Sequence, residues 1–244
     1  MRGRADAASV GWMGVEMGPA VWMATWVVAA MAHAAAPEAV HAELREAAGW
    51  TASHVNDGVQ VYRKDLTTVG LTAWKGVTTA PPGLDRDHLL KVLSDSEAHP
   101  SFNTALSESV IISKNGGTTV FYQVFSPPTL APVSDRWWVT EARSERDIGG
   151  VDGRHARTWS TLQPDEASEL RHRLRTRLPD AVEVTQSYGG WDLIPLEDGS
   201  TRIIYRNVTD TGGAVPHVVA SRVTGRAVAD NIHRMVDYAR KTSR

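Results

Sequence analysis

Hydrophobic residues first recur with a helical period. Over residues 37–50 they stand three or four positions apart, which predicts an amphipathic helix with Pro37 in its first turn and Gly49 at its end. The period then changes to two, and this alternation predicts strands at residues 59–63 and 71–79. The folded region is therefore expected to begin with one helix and two or three strands.

A second helix and a long series of strands follow. Residues 85–94 place Asp85 at a capping position and space three leucines along one helix face. Turn residues separate further strand patterns at residues 105–113, 118–125, 137–144, 156–162, 182–195 and 201–209. The Asn115-Gly116 pair between the first two of these patterns predicts a hairpin.

The longest helical pattern stands at the end of the chain. Residues 215–241 carry an apolar stripe, and Pro216 suits the first turn of a helix. The order of elements, with hairpins instead of β-α-β units, predicts an α+β fold with a large antiparallel sheet. The terminal helix is the element that can cover one face of that sheet. If the sheet curls around the helix, the space between them can exceed what side chains fill.

A charged segment interrupts the strands at residues 164–178. Arginines stand at every second position from Arg171 to Arg177, which is one pattern of a nucleic-acid or headgroup-binding patch. Acidic residues flank these arginines, however, and no aromatic residues lie among them. We therefore interpret the segment as a solvated insert that could hold a short helix.

The N-terminus has the pattern of a secretory leader. Residues 18–36 contain no Asp, Glu, Lys or Arg, and Arg2 and Arg4 precede them. Small residues close the run, as a signal peptidase requires, which predicts cleavage after Ala36 and a single domain at residues 37–244. The alternative is a retained membrane anchor, because the run is as long as a short spanning helix. Either case predicts an exported protein of the periplasm or cell envelope.

Composition and motifs exclude several functional classes. The chain has 244 residues, and its 26 basic and 28 acidic residues give a net charge of −2, so no bulk electrostatic attraction to nucleic acid is expected. Cysteine is absent, which excludes disulfides, thiolate catalysis and cysteine-bound metals. The sequence has one Asp-Thr-Gly string, at residues 210–212, whereas aspartic-protease chemistry needs two carboxylates sharing a proton. We predict no catalytic residue, no metal ligand and no cofactor.

Several short segments, in this order, resemble a known family. The segments are Gly58–Tyr62, Trp74-Lys75-Gly76, Pro127–Trp138, Trp191–Pro195 and Asp210–Pro216. Together they resemble the START lipid-binding domain, of the START/Bet v 1-like helix-grip superfamily, over about the whole of residues 37–244. The resemblance implies a curved antiparallel sheet wrapped around a C-terminal helix, with an internal apolar tunnel. It also implies non-catalytic binding or transfer of one hydrophobic ligand, such as a phospholipid or a sterol.

Two positions depart from the family pattern. Arg136 is matched, but Trp137 stands where the family usually has an aspartate. The acid and the arginine that some sterol-carrying members place in the cavity align with Val124 and Ala142. A steroid-type polar anchor therefore does not carry over to this chain.

Candidate ligand-binding residues lie on the strands and at the start of the last helix. They are Tyr122, Val124, Trp138, Tyr205, Arg206, Val218, Val219, Arg222 and Val223. We expect the start of that helix to gate the tunnel, with Gly212 and Gly213 as the hinge. Plain core packing is the alternative for the aromatic residues, since any sheet face needs such side chains.

The expected partners are a lipid ligand and, transiently, a membrane. We expect the protein to be a monomer without affinity for nucleic acid. The alternative function is a cyclase-like or hydrolase-like enzyme of the same superfamily. In that case Tyr122, Tyr188, Asp192 or Tyr205 would act as acid or base on an apolar substrate. A third possibility is an interaction module with a filled core.

Overall fold

The structure is a computed structural model that describes residues 36–127, 133–150, 153–212 and 217–243. In the last helix the side chains are described from Gly225 onward. The predicted leader, residues 1–36, lies outside this description except for Ala36. Among the described helices, none combines the length and the apolar character that crossing a membrane requires.

The described residues form helices and strands in the predicted order. The helices are α1 (Pro37–Arg45), α2 (Arg86–Ser94), α3 (His99–Phe102), α4 (Ser168–Arg177) and α5 (His217–Thr242). The strands are β1 (Thr51–Asn56), β2 (Val59–Leu66), β3 (Leu71–Ala80), β4 (Leu106–Asn115), β5 (Thr118–Phe125), β6 (Arg136–Glu145), β7 (His155–Thr161), β8 (Val182–Glu183), β9 (Ser187–Pro195) and β10 (Thr201–Thr209).

The strands form one curved, open sheet. Nine strands pair antiparallel in the order β1-β2-β3-β10-β9-β7-β6-β5-β4, and the short β8 pairs in parallel with β6. The pairing of β3 with β10 joins the N-terminal strands to the C-terminal hairpin. The predicted α+β class with a large antiparallel sheet is confirmed.

One face of the sheet, here called the inner face, packs against α5. Ile232 and Met235 of α5 are fully buried in a cluster that includes Trp74, Leu193 and Ile203 of the sheet. Each such buried side chain contributes roughly 1.5–3 kcal/mol to folding. The part of the sheet under the C-terminal half of α5 is therefore a filled hydrophobic core.

The opposite face, here called the outer face, is covered by α1 and α4. Val40 and Leu44 of α1 pack in a cluster with Tyr188 and Val208. A separate cluster joins Leu174 of α4 to the outer-face side chains of β5 and β6. Both faces of the sheet are thus partly covered, which explains why the first seven residues of β9 are all buried.

Most predicted boundaries agree with the structure, and the local reasons are visible. Asp85 caps α2, since its carboxylate accepts hydrogen bonds from the backbone N–H groups of Asp87 (3.2 Å) and His88 (3.3 Å). Asn115 and Thr118 pair at the end of the β4-β5 hairpin, as the turn residues predicted. α1 ends at Arg45, earlier than predicted.

Three elements differ from the sequence prediction, and the first is the short helix α3, where no helical pattern was assigned. Strand β1 was not specifically predicted, because five of its six residues are exposed and it lacks a buried alternation. The strand predicted at residues 182–195 is divided into β8 and β9. This division arises because β8 leaves the antiparallel path to pair with Arg136 and Trp137 of β6.

The charged insert is only partly solvated, so its interpretation needs correction. Arg171 and Leu174 of α4 are buried, whereas Arg173 and Arg175 are exposed. Residues 171 and 174 are three positions apart and therefore lie on the same helix face, which is the face turned to the sheet. Arg171 is paired with Glu183 of β8 inside this contact.

Candidate functional site

The inner face changes character along the length of α5. Gly225 of α5 lies close against the sheet, because a Cβ atom there would lie 2.8 Å from the indole ring of Trp74. From Gly225 to the C-terminus, α5 is seated in the apolar core. The backbone of α5 begins at His217, about 12 Å earlier along the helix axis.

The segment that leads into α5 is attached to the far end of the sheet. The backbone N–H of Asp210 donates to Gln186 O (2.9 Å), and Arg136 Nε donates to Thr211 O (3.3 Å). We call the part of the inner face between the Trp74 row and Arg136 the distal inner face.

The distal inner face is formed by successive rows of side chains across the sheet. Its members are Phe125, Arg136, Trp138, Thr140, Trp159, Thr161 and Asn207. Phe125, Trp138, Trp159 and Asn207 are only half-buried, and Trp159 also packs against the buried cluster under the C-terminal half of α5. Large apolar rings and a few polar groups thus share one surface, which is the usual lining of a small-molecule site.

The rings of this surface are held in place by neighbours. Trp138 Nε1 donates a hydrogen bond to Gln123 Oε1 (3.1 Å), and its ring centroid lies 6.5 Å from that of Phe125. Trp159 lies across Gly189, where a Cβ atom would meet the indole at 2.1 Å. Gly189 therefore allows Trp159 to lie flat along the inner face.

Threonine hydroxyls provide the polar groups at the centre of the surface. Thr161 Oγ1 donates to Thr185 O (2.8 Å) and accepts from the backbone N–H of Ser187 (3.2 Å). Thr140 stands directly opposite Thr161, is 1% exposed, and its Oγ1 has no hydrogen-bond partner among the described residues. A buried hydroxyl without a partner costs about 1–3 kcal/mol, so Thr140 offers a hydrogen bond that a ligand could complete.

Arg136 places a positive charge at the end of the same surface. It is 6% exposed and donates to the carbonyl oxygens of Ser134 and Thr211. Within the described part of the chain, no carboxylate oxygen lies within 4.0 Å of its guanidinium group. The guanidinium therefore remains a buried cation whose described partners are uncharged.

Two of the predicted ligand residues lie on the inner face. Trp138 belongs to the distal inner face itself. Tyr205 lies in the packed part, where its ring centroid is 4.3 Å from that of Trp191 and 5.9 Å from that of Trp159. Burial raises the pKa of Tyr205 to about 12, so its hydroxyl stays protonated at neutral pH.

Tyr122 and Val124 lie on the outer face, away from α5. They belong to the cluster that packs under Leu174 of α4. The Tyr122 hydroxyl donates to Glu108 Oε1 (2.6 Å), and burial together with this carboxylate raises its pKa. Neither side chain is placed to line a space between the sheet and α5.

Arg206 also lies on the outer face, where it pairs with Asp192. Val218, Val219, Arg222 and Val223 belong to the first two turns of α5, and their side chains lie outside the described residues. The structure therefore brings Trp138 and Tyr205 to one side of the sheet and separates them from Tyr122, Val124 and Arg206.

Sequence reasoning missed Thr140, Trp159 and Asn207 as site residues. A signal for Thr140 was present, because strand alternation places it on the same face as Trp138. Trp159 and Asn207 could not be found in this way, since their position depends on which strands become neighbours. In the described part of the chain, no three His, Asp or Glu side chains are grouped as a metal ion would require.

Comparison with known proteins identifies the fold. No family model matches the chain. An uncharacterised protein of Pseudomonas aeruginosa is 25% identical over 172 residues, which cover 70% of this chain and 77% of that protein. Human StAR-related lipid transfer protein 5 superposes with a TM-score of 0.70 and 16% identity, over 85% of this chain and 94% of that structure.

Two bacterial structures extend the comparison. A STAR-related lipid transfer protein from Xanthomonas axonopodis has a TM-score of 0.65 and 22% identity, over 79% of this chain and 99% of that structure. An aromatase/cyclase from Streptomyces has a TM-score of 0.50 and 12% identity, over 70% of this chain and 95% of that structure. The chain has a START-like fold, a fold found in lipid-transfer proteins and in cyclases.

Proposed function

We propose that this protein binds one hydrophobic ligand, a phospholipid, a sterol or a similar lipid, between the distal inner face and the first turns of α5. The observation that carries the proposal is the change along the inner face. A filled core lies under the C-terminal half of α5, and half-buried aromatic rings and an unpartnered buried hydroxyl share the same face beyond it. The fold shared with lipid-transfer proteins supports the same function.

The energy for binding would come mainly from the hydrocarbon part of the ligand. Removing a chain of about a dozen methylenes from water is worth roughly 10 kcal/mol, at about 0.8 kcal/mol each. Few polar contacts are then needed, and their role is to orient the ligand. An acceptor membrane removes the same hydrocarbon from water, so release into the membrane recovers this free energy. Transfer between membranes therefore requires no chemical step.

The side chains take separate roles in this proposal. Trp138, Trp159 and Phe125 form the apolar floor on which the hydrocarbon lies. The Thr140 hydroxyl hydrogen-bonds to a hydroxyl or ester carbonyl of the ligand. Arg136 stands beside the segment that leads into α5 and offers a charge to a polar headgroup at that end.

The first experiment asks whether a lipid is present. Protein purified without detergent from its native host is examined by native mass spectrometry, and we expect one lipid per chain. Transfer of a fluorescent phospholipid or sterol between vesicles then measures the activity. A protein that carries no lipid and transfers none of these probes would overturn the proposal.

A pair of matched variants then tests the site. Thr140→Val removes the unpartnered hydroxyl without changing the size of the side chain, so the stability of the fold should be kept or raised. Its affinity for lipid should fall about threefold to tenfold, as expected for one lost hydrogen bond. Thr161→Val removes a hydroxyl that is already bonded within the sheet, and this control should lose stability. Unchanged lipid affinity in Thr140→Val would exclude Thr140 as the anchor.

We propose binding without catalysis. The superposition on an aromatase/cyclase keeps the enzyme alternative open at the level of the fold. The side chains first considered for it give no specific support, because Tyr122, Tyr188 and Asp192 lie on the outer face and the pKa of Tyr205 is raised to about 12. Conversion of an added apolar substrate, lost in Trp138→Ala, would favour the enzyme.

The proposal of lipid binding includes the location of the protein in the cell. The leader pattern supports export to the periplasm or cell envelope, where a carrier would contact membranes only transiently and act as a monomer. A carrier in that compartment moves lipid across an aqueous space, which is the situation in which sheltering a lipid from water is useful.

A further inference from the structure

The guanidinium group of Arg136 has more hydrogen-bond donors than the described protein groups use. Nε donates to Thr211 O (3.3 Å), and Nη1 donates to Ser134 O. A guanidinium group carries five N–H bonds, so most of them have no acceptor among the described residues. Both acceptors are carbonyl oxygens, which bear only a partial negative charge. The protein therefore holds Arg136 in place without neutralising it.

The segments that accept hydrogen bonds from Arg136 contain no acidic side chain. The two acceptors belong to residues 127–134 and 211–229, and neither range contains Asp or Glu. The second range leads into α5 and carries Arg222 and Arg226. These segments therefore contribute positive charge and no negative charge.

The carboxylates that flank these segments are bonded to other groups. Asp135 Oδ2 accepts from the Ser126 hydroxyl (3.0 Å), and Asp210 Oδ1 accepts from the backbone N–H of Gly212 (3.0 Å). Neither carboxylate forms an ion pair with Arg136. A buried cation is unfavourable unless an anion pairs with it, and a bound anion would supply both the charge and the acceptors that Arg136 lacks.

Arg136 stands at one end of a row of side chains on the inner face. Arg136, Trp138 and Thr140 alternate along β6 and therefore share this face. At about 3.3 Å per residue, the Cα atoms of Arg136 and Thr140 are about 13 Å apart, and Trp138 lies between them. A lipid placed along this row would meet a cation at its end and an apolar ring beside the cation. A charged headgroup followed by hydrocarbon matches that order.

We infer that the lipid bound at this site carries an anionic headgroup, a carboxylate or a phosphate, which pairs with Arg136. The inference rests on the proposed function, because it names the class of lipid that the same site would select. A hydrogen bond between a guanidinium group and an anionic oxygen is roughly twice as strong as a neutral one, and the arginine fork can hold two oxygens. A lipid without an anionic group would leave Arg136 buried and unpaired, so the site should distinguish lipids by charge.

The test compares lipids that differ only in the headgroup. Hexadecanoate is paired with hexadecanol, and phosphatidic acid is paired with the diacylglycerol of the same chains. Affinities for the whole chain are measured by displacement of a fluorescent lipid analogue. We expect the acid of at least one pair to bind at least about tenfold more tightly than its neutral partner, as one charge-assisted hydrogen bond provides.

The outcome also identifies the source of the negative charge. A preference within the first pair alone would assign the site to a carboxylate, and a preference within the second pair alone would assign it to a phosphate. Equal binding of acid and neutral lipid in both pairs would overturn the inference. This comparison uses the unchanged protein, so it stands even if a variant of Arg136 does not fold.

Variants of Arg136 separate recognition of charge from a purely structural role. In Arg136→Gln the preferred acid should bind no more tightly than its neutral partner, whereas the affinity for the neutral lipid should be kept. Arg136→Lys retains the charge and should retain part of the preference. If Arg136 only braces the segment before α5, Arg136→Gln would weaken both lipids equally and leave their ratio unchanged, which would overturn the inference.

The matched control is Arg173→Gln. Arg173 is an exposed residue of α4, the helix that covers the outer face, so this variant makes the same change of charge away from the site. It should keep the full preference for the acid. Loss of the preference in Arg173→Gln would show an effect of overall protein charge and would also overturn the inference.

Failure of this inference can be distinguished from failure of the proposed function. A protein that binds no member of either pair and carries no lipid would overturn both. A protein that binds acid and neutral lipids equally would remain a lipid carrier, and only the assignment to an anionic headgroup would be lost.

Discussion

Gly225 of α5 lies directly against the indole ring of Trp74, so that a Cβ atom at Gly225 would come within 2.8 Å of the ring. This contact fixes the point at which α5 meets the sheet. Ile232 and Met235, farther along the same helix, are fully buried against the sheet.

Gly225→Ala tests that contact. Alanine favours a helix by up to about 1 kcal/mol over glycine, but overpacking against a rigid ring costs about 1–3 kcal/mol. We expect a net loss in the free energy of unfolding, measured by urea denaturation, and faster lipid exchange as α5 moves away. Asp230→Ala, at an exposed position of the same helix, is the control and should be nearly neutral. A more stable Gly225→Ala protein would contradict the seating of α5 on Trp74.

The ion pair of Glu183 with the buried Arg171 should contribute far more to the stability of the fold than its ion pair with the exposed Arg175. Arg171 is 1% exposed and pairs with Glu183, whereas Arg175, which also pairs with Glu183, has a 61% exposed side chain. Glu183→Gln leaves a buried guanidinium without a counter-charge and should cost about 3 kcal/mol in the free energy of unfolding. Arg175→Gln should cost less than about 1 kcal/mol. Similar losses in the two variants would mean that Arg171 is solvated.

Glu43 should make the fold sensitive to acid. Burial raises the pKa of this carboxyl, but hydrogen bonds from the backbone and hydroxyl groups of Thr67 and Thr68 outweigh burial and hold it at about 2. Since the ordinary pKa is 4.5, this stabilisation is complete above about pH 5 and is lost as the pH falls from 4.5 toward 2.

The measurement is urea denaturation of Glu43→Gln at several pH values. At pH 7 the variant should be less stable by about 1–2 kcal/mol, and the difference should vanish near pH 2. A constant difference across this range would show that ionisation of Glu43 does not stabilise the fold.

Protonation of His99 should lower the stability of the fold in a different pH range. Burial lowers its pKa to about 4, although its hydrogen bond to Leu93 O (3.0 Å) acts in the opposite direction. Gln123 Nε2 donates to Nδ1 (3.0 Å), so the neutral ring is the form that the hydrogen bonds favour. Stability from His99 should be full above pH 6.5 and decline as the pH falls toward 4. An NMR titration midpoint near 6.5 would contradict this burial.

The leader prediction can be tested by the mass of the exported protein. Expression of the whole chain in its native host should yield a mature N-terminus at Pro37. A retained leader, with the protein found in the membrane fraction, would favour the alternative of an anchor.

Local features of the chain could be predicted because they depend on neighbours in sequence. Periodicity located the helices and most of the strands, and Asp85 indicated the start of α2 because a carboxylate caps the N–H groups of its own helix. The antiparallel order followed from short turns between strands. The insert at α4 showed the limit, because the list of charges did not reveal that Arg171 faces the sheet.

The face to which each side chain points was decided only by tertiary structure. Alternation shows that Tyr122 and Val124 share a face and that Trp138 and Thr140 share a face, but it does not show which face meets α5. The pairing of β4 with β5 is also irregular between Ile111 and Ser113, so strict alternation of faces does not hold along the whole hairpin.

The sequence by itself thus determined most of the elements, their order and the α+β class of this protein. The packing of α5 on one side and of α1 and α4 on the other decided that Trp138 and Thr140 lie on the inner face and that Tyr122, Val124 and Arg206 lie on the outer face. The physical reason is that periodicity is a property of one segment, whereas a site is formed by contacts between segments distant in the chain.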